Sequence, residues 1–257
     1  MTTAKFYPIG TPGTPWGDAE KAQWRAVQAK RRSYADEVAA KIDALRDRFD
    51  VQQYASFDCA PDGTYPAFAL RSRDWNDALP VAVVTGGVHG YETSGVHGAL
   101  QFAQRHAGDY AGKCNLLVVP CVSPWAYERI NRWNAQALDP NRNFRAGSPA
   151  QESAALWNLL QPLQGKILVH IDLHETTDSD ESEFRPALAA RDGKPFEPGT
   201  IPDGFYLCAD SARPQPAFQR AVNAEVARVT HIAPADPDGT IIGSPVVAPG
   251  VIEYDCR

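Results

Sequence analysis

Pro80-Val81-Ala82-Val83-Val84-Thr85-Gly86-Gly87-Val88-His89-Gly90-Tyr91-Glu92 runs from an apolar strand candidate into a glycine-rich loop, with an imidazole and a carboxylate three residues apart. The apolar run is short, valine-rich and bounded by Pro80 and Gly86, which predicts a buried strand over 80–85. The glycines let the chain turn sharply and leave room above the turn. A divalent metal takes such a pair, a neutral nitrogen and an anionic oxygen, from a rigid piece of backbone. Alone, His-x-x-Glu is a weak pattern, since a turn histidine beside a helix-starting glutamate reads the same way. The rest of the chain decides between the two.

Ile167-Leu168-Val169-His170-Ile171-Asp172-Leu173-His174-Glu175 predicts a second apolar strand over 167–173, with His174 where it ends. In open α/β sheets ligands bind beyond the carboxyl ends of strands. His89, Glu92 and His174 are therefore expected to gather at one sheet edge. Two histidines and one carboxylate leave zinc's fourth tetrahedral position open for water, the arrangement of a catalytic site. Zinc draws the pKa of that water towards about 7 and polarises a carbonyl, which is hydrolase chemistry if a base is at hand. Asp172 reads either as a partner that orients a ligand histidine or as a plain strand-end acid, and His170 reads as a core residue. Glu253, in Gly250-Val251-Ile252-Glu253-Tyr254-Asp255, interrupts a further hydrophobic strand. A carboxylate there costs free energy unless it is paired or functional, and it is a candidate base for the water and acid for a leaving amine. Arg129-Ile130-Asn131-Arg132 and Asp139-Pro140-Asn141-Arg142-Asn143-Phe144 supply guanidinium forks suited to a substrate carboxylate and a developing oxyanion. Arg129 reads equally well as an ordinary salt bridge, Asn143 as a loop-fixing residue, and Trp125 and Trp133 as core.

The 257 residues suit one α/β domain with a single core. A net charge of −6 lacks the basic footprint that nucleic acid requires. The five cysteines, Cys59, Cys114, Cys121, Cys208 and Cys256, are odd in number and contain no Cys-x-x-Cys pair. Several lie in apolar strands, so most are expected to be reduced core residues. Met1 to Pro8 carries no apolar leader and no segment is long and apolar enough to span a bilayer, so the expected compartment is the cytoplasm, with no membrane partner.

Residues 1–16 read as a Pro- and Gly-rich lead-in, and 17–48 as one long helix with Trp24, Val27, Tyr34, Val38, Ile42 and Leu45 on its apolar face. Strands are expected over 51–57 and 65–71, split by Pro61-Asp62-Gly63. Beyond 80–85 come a helix over 91–107, a strand over 115–122, a helix over 148–162 and the strand over 167–173. This alternation predicts an α/β fold, a mixed sheet sandwiched between helices. Residues 176–203 read as a polar loop in which Asp178, Asp180, Glu181 and Glu183 are solvated, select a cationic substrate group or hold a second metal. A strand over 204–208, a helix over 214–228 and strands near 240–242 and 250–254 complete the pattern. No repeat or domain boundary is apparent.

The order His-x-x-Glu, arginine, Asn-Arg, histidine, glutamate, running from residue 89 to residue 253, resembles that of the zinc carboxypeptidase family and the related succinylglutamate desuccinylase/aspartoacylase group. Asp139-Pro-Asn-Arg-Asn-Phe is similar to the carboxypeptidase form of its motif, and Asp172-Leu-His-Glu-Thr-Thr is closer to the acylase form. The resemblance implies a single phosphorylase/hydrolase-like catalytic domain over 1–257, with 1–48 as an N-terminal lead-in and helix. It implies one zinc ion on His89, Glu92 and His174, a carbonyl-polarising Arg132, Asn141 and Arg142 on a substrate carboxylate, and Glu253 as general base. The implied reaction is hydrolysis of an amide bond beside a free carboxylate, on a small peptide. An N-acyl amino acid substrate is the alternative, and a non-catalytic metal-dependent binding protein a more distant one. Two features depart from the family. The sequence ends four residues after Glu253, short of the helix that usually follows the base, so a neighbouring subunit completing the fold stays open. Between Thr230 and Pro249 there is no tyrosine to cap the substrate, only His231, with Tyr206 and Tyr254 the nearest phenols.

Overall fold

A computed structural model of the chain describes residues 7–254; Cys256 and the first six residues of the lead-in lie outside the described residues. The chain forms two compact units, one of Pro8–Gly10 and Pro15–Glu175, the other of Met1–Tyr7, Thr11–Thr14 and Thr176–Arg257.

In the first unit helix α1 spans Asp18–Ala26, a wide π turn over Ala35–Ala39 leads into α2, Ala40–Asp43, and strands β1, Phe49–Asp58, and β2, Thr64–Ser72, form an antiparallel hairpin. Then follow β3, Val81–Gly86, α3, Thr93–Arg105, β4, Asn115–Val119, α4, Pro124–Arg129, α5, Gln151–Leu160, and β5, Ile167–Leu173. The five strands make one mixed sheet in the order β1-β2-β4-β3-β5, in which β3 runs parallel to both β4 and β5. Every residue of β4 is buried and β3 is nearly so, as expected of parallel strands covered on both faces. Val83, Leu117 and Val119 pack with Val88 and with Leu156 of α5, while α3 buries Val96, Ala99, Leu100 and Ala103 at helical spacing. Because β3, β4 and β5 are parallel, their carboxyl ends share one edge, and the loops holding His89, Arg132 and His174 all leave from it.

The second unit contains a wide turn, Asp180–Phe184, running into α6, Arg185–Arg191, then β6, Leu207–Asp210, α7, Pro216–Val226, β7, Thr240–Ile241, β8, Ser244–Ala248, and β9, Val251–Tyr254. Its four strands are ordered β6-β9-β8-β7, with β6 parallel to β9, around Ala233, Ile241 and Ile252.

The α/β class and the strand at 167–173 match the reading of the sequence, with the strands distributed over two sheets. Three elements differ. The helix expected over 17–48 is broken at 27–34, where the backbone N–H groups of Arg31 and Arg32 donate to the Glu128 carbonyl and that of Tyr34 to the Glu128 carboxylate. Tertiary hydrogen bonds outweigh helical periodicity there; Trp24, Tyr34, Val38, Ile42 and Leu45 are still buried, whereas Val27 is exposed. The loop expected over 176–203 contains the helical stretch Asp180–Arg191, and α4 lies where only an arginine segment was anticipated. Of the four cysteines described, Cys59 and Cys121 are buried, Cys114 is half-buried and Cys208 is exposed. No helix of the described residues is long and apolar enough to cross a membrane.

Gly87 sits at φ +62°, and Gly90 lies so close to α4 that a Cβ on it would fall 2.0 Å from the Ala126 carbonyl carbon and 2.1 Å from the Tyr127 nitrogen. Backbone atoms on both sides cannot give way. Gly90→Ala is expected to cost at least about 1–3 kcal/mol and to lower the melting temperature by several degrees, read from thermal unfolding of the metal-free chain.

Candidate metal centre

The His89 and Glu92 side chains are 1% and 2% exposed, and His174 arrives from the end of β5 with 32% of its side-chain surface open. One ligand atom from each of the three lies within 4.8 Å of the others. His89 Nδ1 is 2.7 Å from Glu92 Oε1, and His174 Nδ1 is 2.9 Å from Glu92 Oε2. That Oε2 is fully buried and makes no well-aligned hydrogen bond, the His174 nitrogen being close but off line. A buried carboxylate oxygen left in this state is costly unless a cation completes it.

The opposite nitrogen of each imidazole also faces a carboxylate. His89 Nε2 is 3.0 Å from Asp139 Oδ1 and His174 Nε2 is 2.7 Å from Asp172 Oδ2. With Nε2–H donated outward, Nδ1 is left to bind a cation, a proton or a metal ion, against Glu92. Carboxylates behind ligand histidines fix the ring, its tautomer and its basicity in metal sites generally. The donor set, two neutral nitrogens and one carboxylate with carboxylate-backed rings, fits a single divalent ion.

The charges support each other. Burial pushes the Glu92 carboxyl up, but the His89 and His174 rings outweigh it and hold it below the usual range. Burial likewise opposes ionisation of Asp139, yet the hydrogen bond from His89 and the charge of Arg132 hold it well below. Burial alone would lower His174; Asp172 and Glu92 on either side raise it to about 10.

Arg132 donates from Nε to Asp139 Oδ2 at 3.0 Å and from Nη1 to the Tyr91 hydroxyl at 2.9 Å. One carboxylate thus orients both His89 and the arginine. The Asp139 role was not singled out in the sequence, although the residue opens the Asn-Arg motif. Asp172 orients His174, and its other oxygen accepts from the Thr85 hydroxyl at 2.6 Å. Thr85 has only that one proton, so its 2.9 Å contact with His170 Nε2 requires His170 to donate. His170, expected in the core, instead ends this outer chain.

Arg129 is buried against Asp62, with Nη2 2.9 Å from Oδ1, the ordinary salt bridge. Trp125 and Trp133 are each 1% exposed core residues. Asn143 fixes its loop by donating Nδ2 to the Asp139 carbonyl at 2.8 Å. Asn141 is half-buried, its N–H on Asp139 Oδ1, and Arg142 is exposed. In the second unit Glu253 is half-buried on β9 and pairs with Ala209 of β6. There too, the Tyr206 hydroxyl meets Thr176 Oγ1 at 2.7 Å, and exposed His231 pairs with Asp203.

The chain superposes on a candidate metallopeptidase from Shewanella denitrificans OS217 with a TM-score of 0.63 over 86% of this chain and 72% of that one, at 19% identity. The fold is that of the zinc carboxypeptidases. A candidate metallopeptidase from Shewanella amazonensis SB2B matches with a TM-score of 0.60 and 21% identity, over 84% of this chain and 72% of that one. A metallo-carboxypeptidase from Pseudomonas aeruginosa, crystallised with (2-guanidinoethylmercapto)succinic acid, matches at a TM-score of 0.52 and 18% identity, over 85% of this chain and 59% of that one. No protein-family model and no curated protein sequence matches the chain.

Proposed function

We propose that the chain is a mononuclear zinc hydrolase that cleaves an amide bond beside a free carboxylate, acting on small peptides in the manner of a carboxypeptidase. The reading takes residues 1–257 as one catalytic domain. The observation that carries it is the convergence of His89, Glu92 and His174, each ring backed by its own carboxylate, with Arg132 held by one of those carboxylates. Bound there, zinc would supply a water of lowered pKa and a polarised carbonyl. Glu253 takes a proton from the attacking water as its oxygen adds to the carbonyl carbon. Arg132 carries the developing oxyanion. As the C–N bond breaks, Glu253 gives the proton to the leaving amine, and Asn141 and Arg142 hold the substrate carboxylate by hydrogen bonds and charge. The assignments of Glu253, Asn141 and Arg142 rest on their place in the residue order. The succinic acid derivative in the Pseudomonas aeruginosa structure, itself a carboxylate ligand, is in keeping with this substrate class.

Zinc-loaded protein incubated with a pool of short peptides and N-acyl amino acids, followed by mass spectrometry with Glu253→Gln as the blank, tests the reading. Shortened peptides absent from the blank are expected. Cleavage of N-acyl amino acids alone would replace the peptidase with a deacylase, and no product in any sample would favour a binding protein.

The state of His174 sets a second expectation. A metal ligand must be neutral, and the metal-free ring stays protonated up to about pH 10. Zinc uptake near neutral pH is therefore expected to release about one proton per ion, with affinity rising about tenfold per pH unit until His174 deprotonates. Calorimetric titration in buffers of different ionisation enthalpy measures both.

A further inference from the structure

We infer that Arg32, from the non-helical stretch between α1 and α2, is a positioning residue that locks the loop holding His89 and Glu92 into its metal-binding shape; this rests on the metal reading above.

The backbone of that loop rides on the segment after β4. The Gly86 carbonyl accepts from the Val122 N–H, that of Gly87 from the Ser123 N–H and that of Val88 from the Ser123 hydroxyl, while the Tyr91 N–H donates to the Asn131 carbonyl. The Gly90 carbonyl, between the two ligands in sequence, is bound instead by Arg32, whose Nη2 donates to it at 2.6 Å. The same guanidinium donates from Nη1 to Thr93 Oγ1 at 2.7 Å, at the start of α3, and from Nε to the Tyr127 carbonyl at 2.6 Å, in α4. Its carbon lies 3.5 Å from the Tyr127 ring centroid, a stacked cation–π contact. All three guanidinium nitrogens are therefore used, on three elements that meet at Gly90. A planar fork holds that geometry where an ammonium cannot.

Gly90 is buried and its Cα is pressed against the α4 backbone, so the loop has no room to turn its carbonyl towards water. Without Arg32 that carbonyl loses its partner, and buried backbone carbonyls are paired almost without exception. The carbonyl regains a partner only if the loop backbone shifts away from α4, which moves His89 relative to Glu92. The effect therefore falls on metal affinity as well as on folding stability.

Zinc dissociation constants, measured by chelator competition well below the melting temperature, test the inference in the parent chain, in Arg32→Ala with and without methylguanidinium, and in Thr93→Val. Arg32→Ala is expected to weaken zinc binding about tenfold or more, the scale for groups that support metal ligands. Methylguanidinium should restore part of the loss, and Thr93→Val, which removes one of the three bonds, should weaken binding by a smaller factor. Parent-like affinity in Arg32→Ala overturns the inference. So does a loss that methylguanidinium leaves untouched while Thr93→Val keeps full affinity. Should Arg32→Ala fail to fold, Thr93→Val decides alone, and unchanged affinity there overturns it. A parent chain that takes up no zinc overturns the metal reading and this inference together. A parent that binds zinc beside an unchanged Arg32→Ala overturns this inference only.

Discussion

Asp139→Asn is expected to weaken zinc binding by about 10–100-fold and to destabilise the metal-free chain by about 3–5 kcal/mol. Three donors converge on this carboxylate. Oδ1 takes His89 Nε2 and the Asn141 N–H, and Oδ2 takes Arg132 Nε. An amide presents one oxygen and one NH2, so in either orientation a donor faces a donor. Facing the NH2 towards Arg132 sets a donor against the guanidinium and removes a negative charge from beside it; facing it towards His89 removes the acceptor that fixes that ring. The Asp139 and Arg132 side chains are only 9% and 13% exposed, so water replaces neither contact well. Because Asp139 is held well below the usual carboxylate range, its contribution is present above the ordinary carboxylate pKa and is lost only as pH falls through the depressed value, in strong acid. Urea unfolding of the metal-free chain and zinc competition measure the two effects separately. A variant unchanged in both would remove Asp139 from the site.

Glu253→Gln is expected to keep zinc affinity and lower kcat by about 10²–10⁴-fold, the range for removing a general base. Glutamine keeps the size and one acceptor but cannot carry a proton between water and leaving amine. Full turnover by the zinc-loaded variant would mean that another group transfers the proton, and the role given to Glu253 would be withdrawn.

The parts of the site that sit at strand ends were legible in the sequence because local signals fix them. Glycines after β3 place His89 and Glu92, and the apolar run of β5 ends at His174, so parallel pairing of the two strands brings the three together. Asp139 was harder to read because its job is defined by His89, fifty positions earlier in the chain, and no spacing rule links the two. Arg32 was harder still. Its segment carries the apolar period of a helix, with Tyr34 and Val38 on the buried face, and only the Glu128 carbonyl and carboxylate divert the backbone from it. The helix over Asp180–Arg191 was hidden by a run of acids that reads as a solvated loop, although Glu181 and Arg185 pair one turn apart.

Zinc titration of the metal-free chain beside His174→Ala tests whether His89, Glu92 and His174 hold one metal ion. Saturation at one ion per chain in the parent, with proton release, and loss of tight binding in the variant are expected. Equal binding by both proteins, or none by the parent, would contradict that assignment.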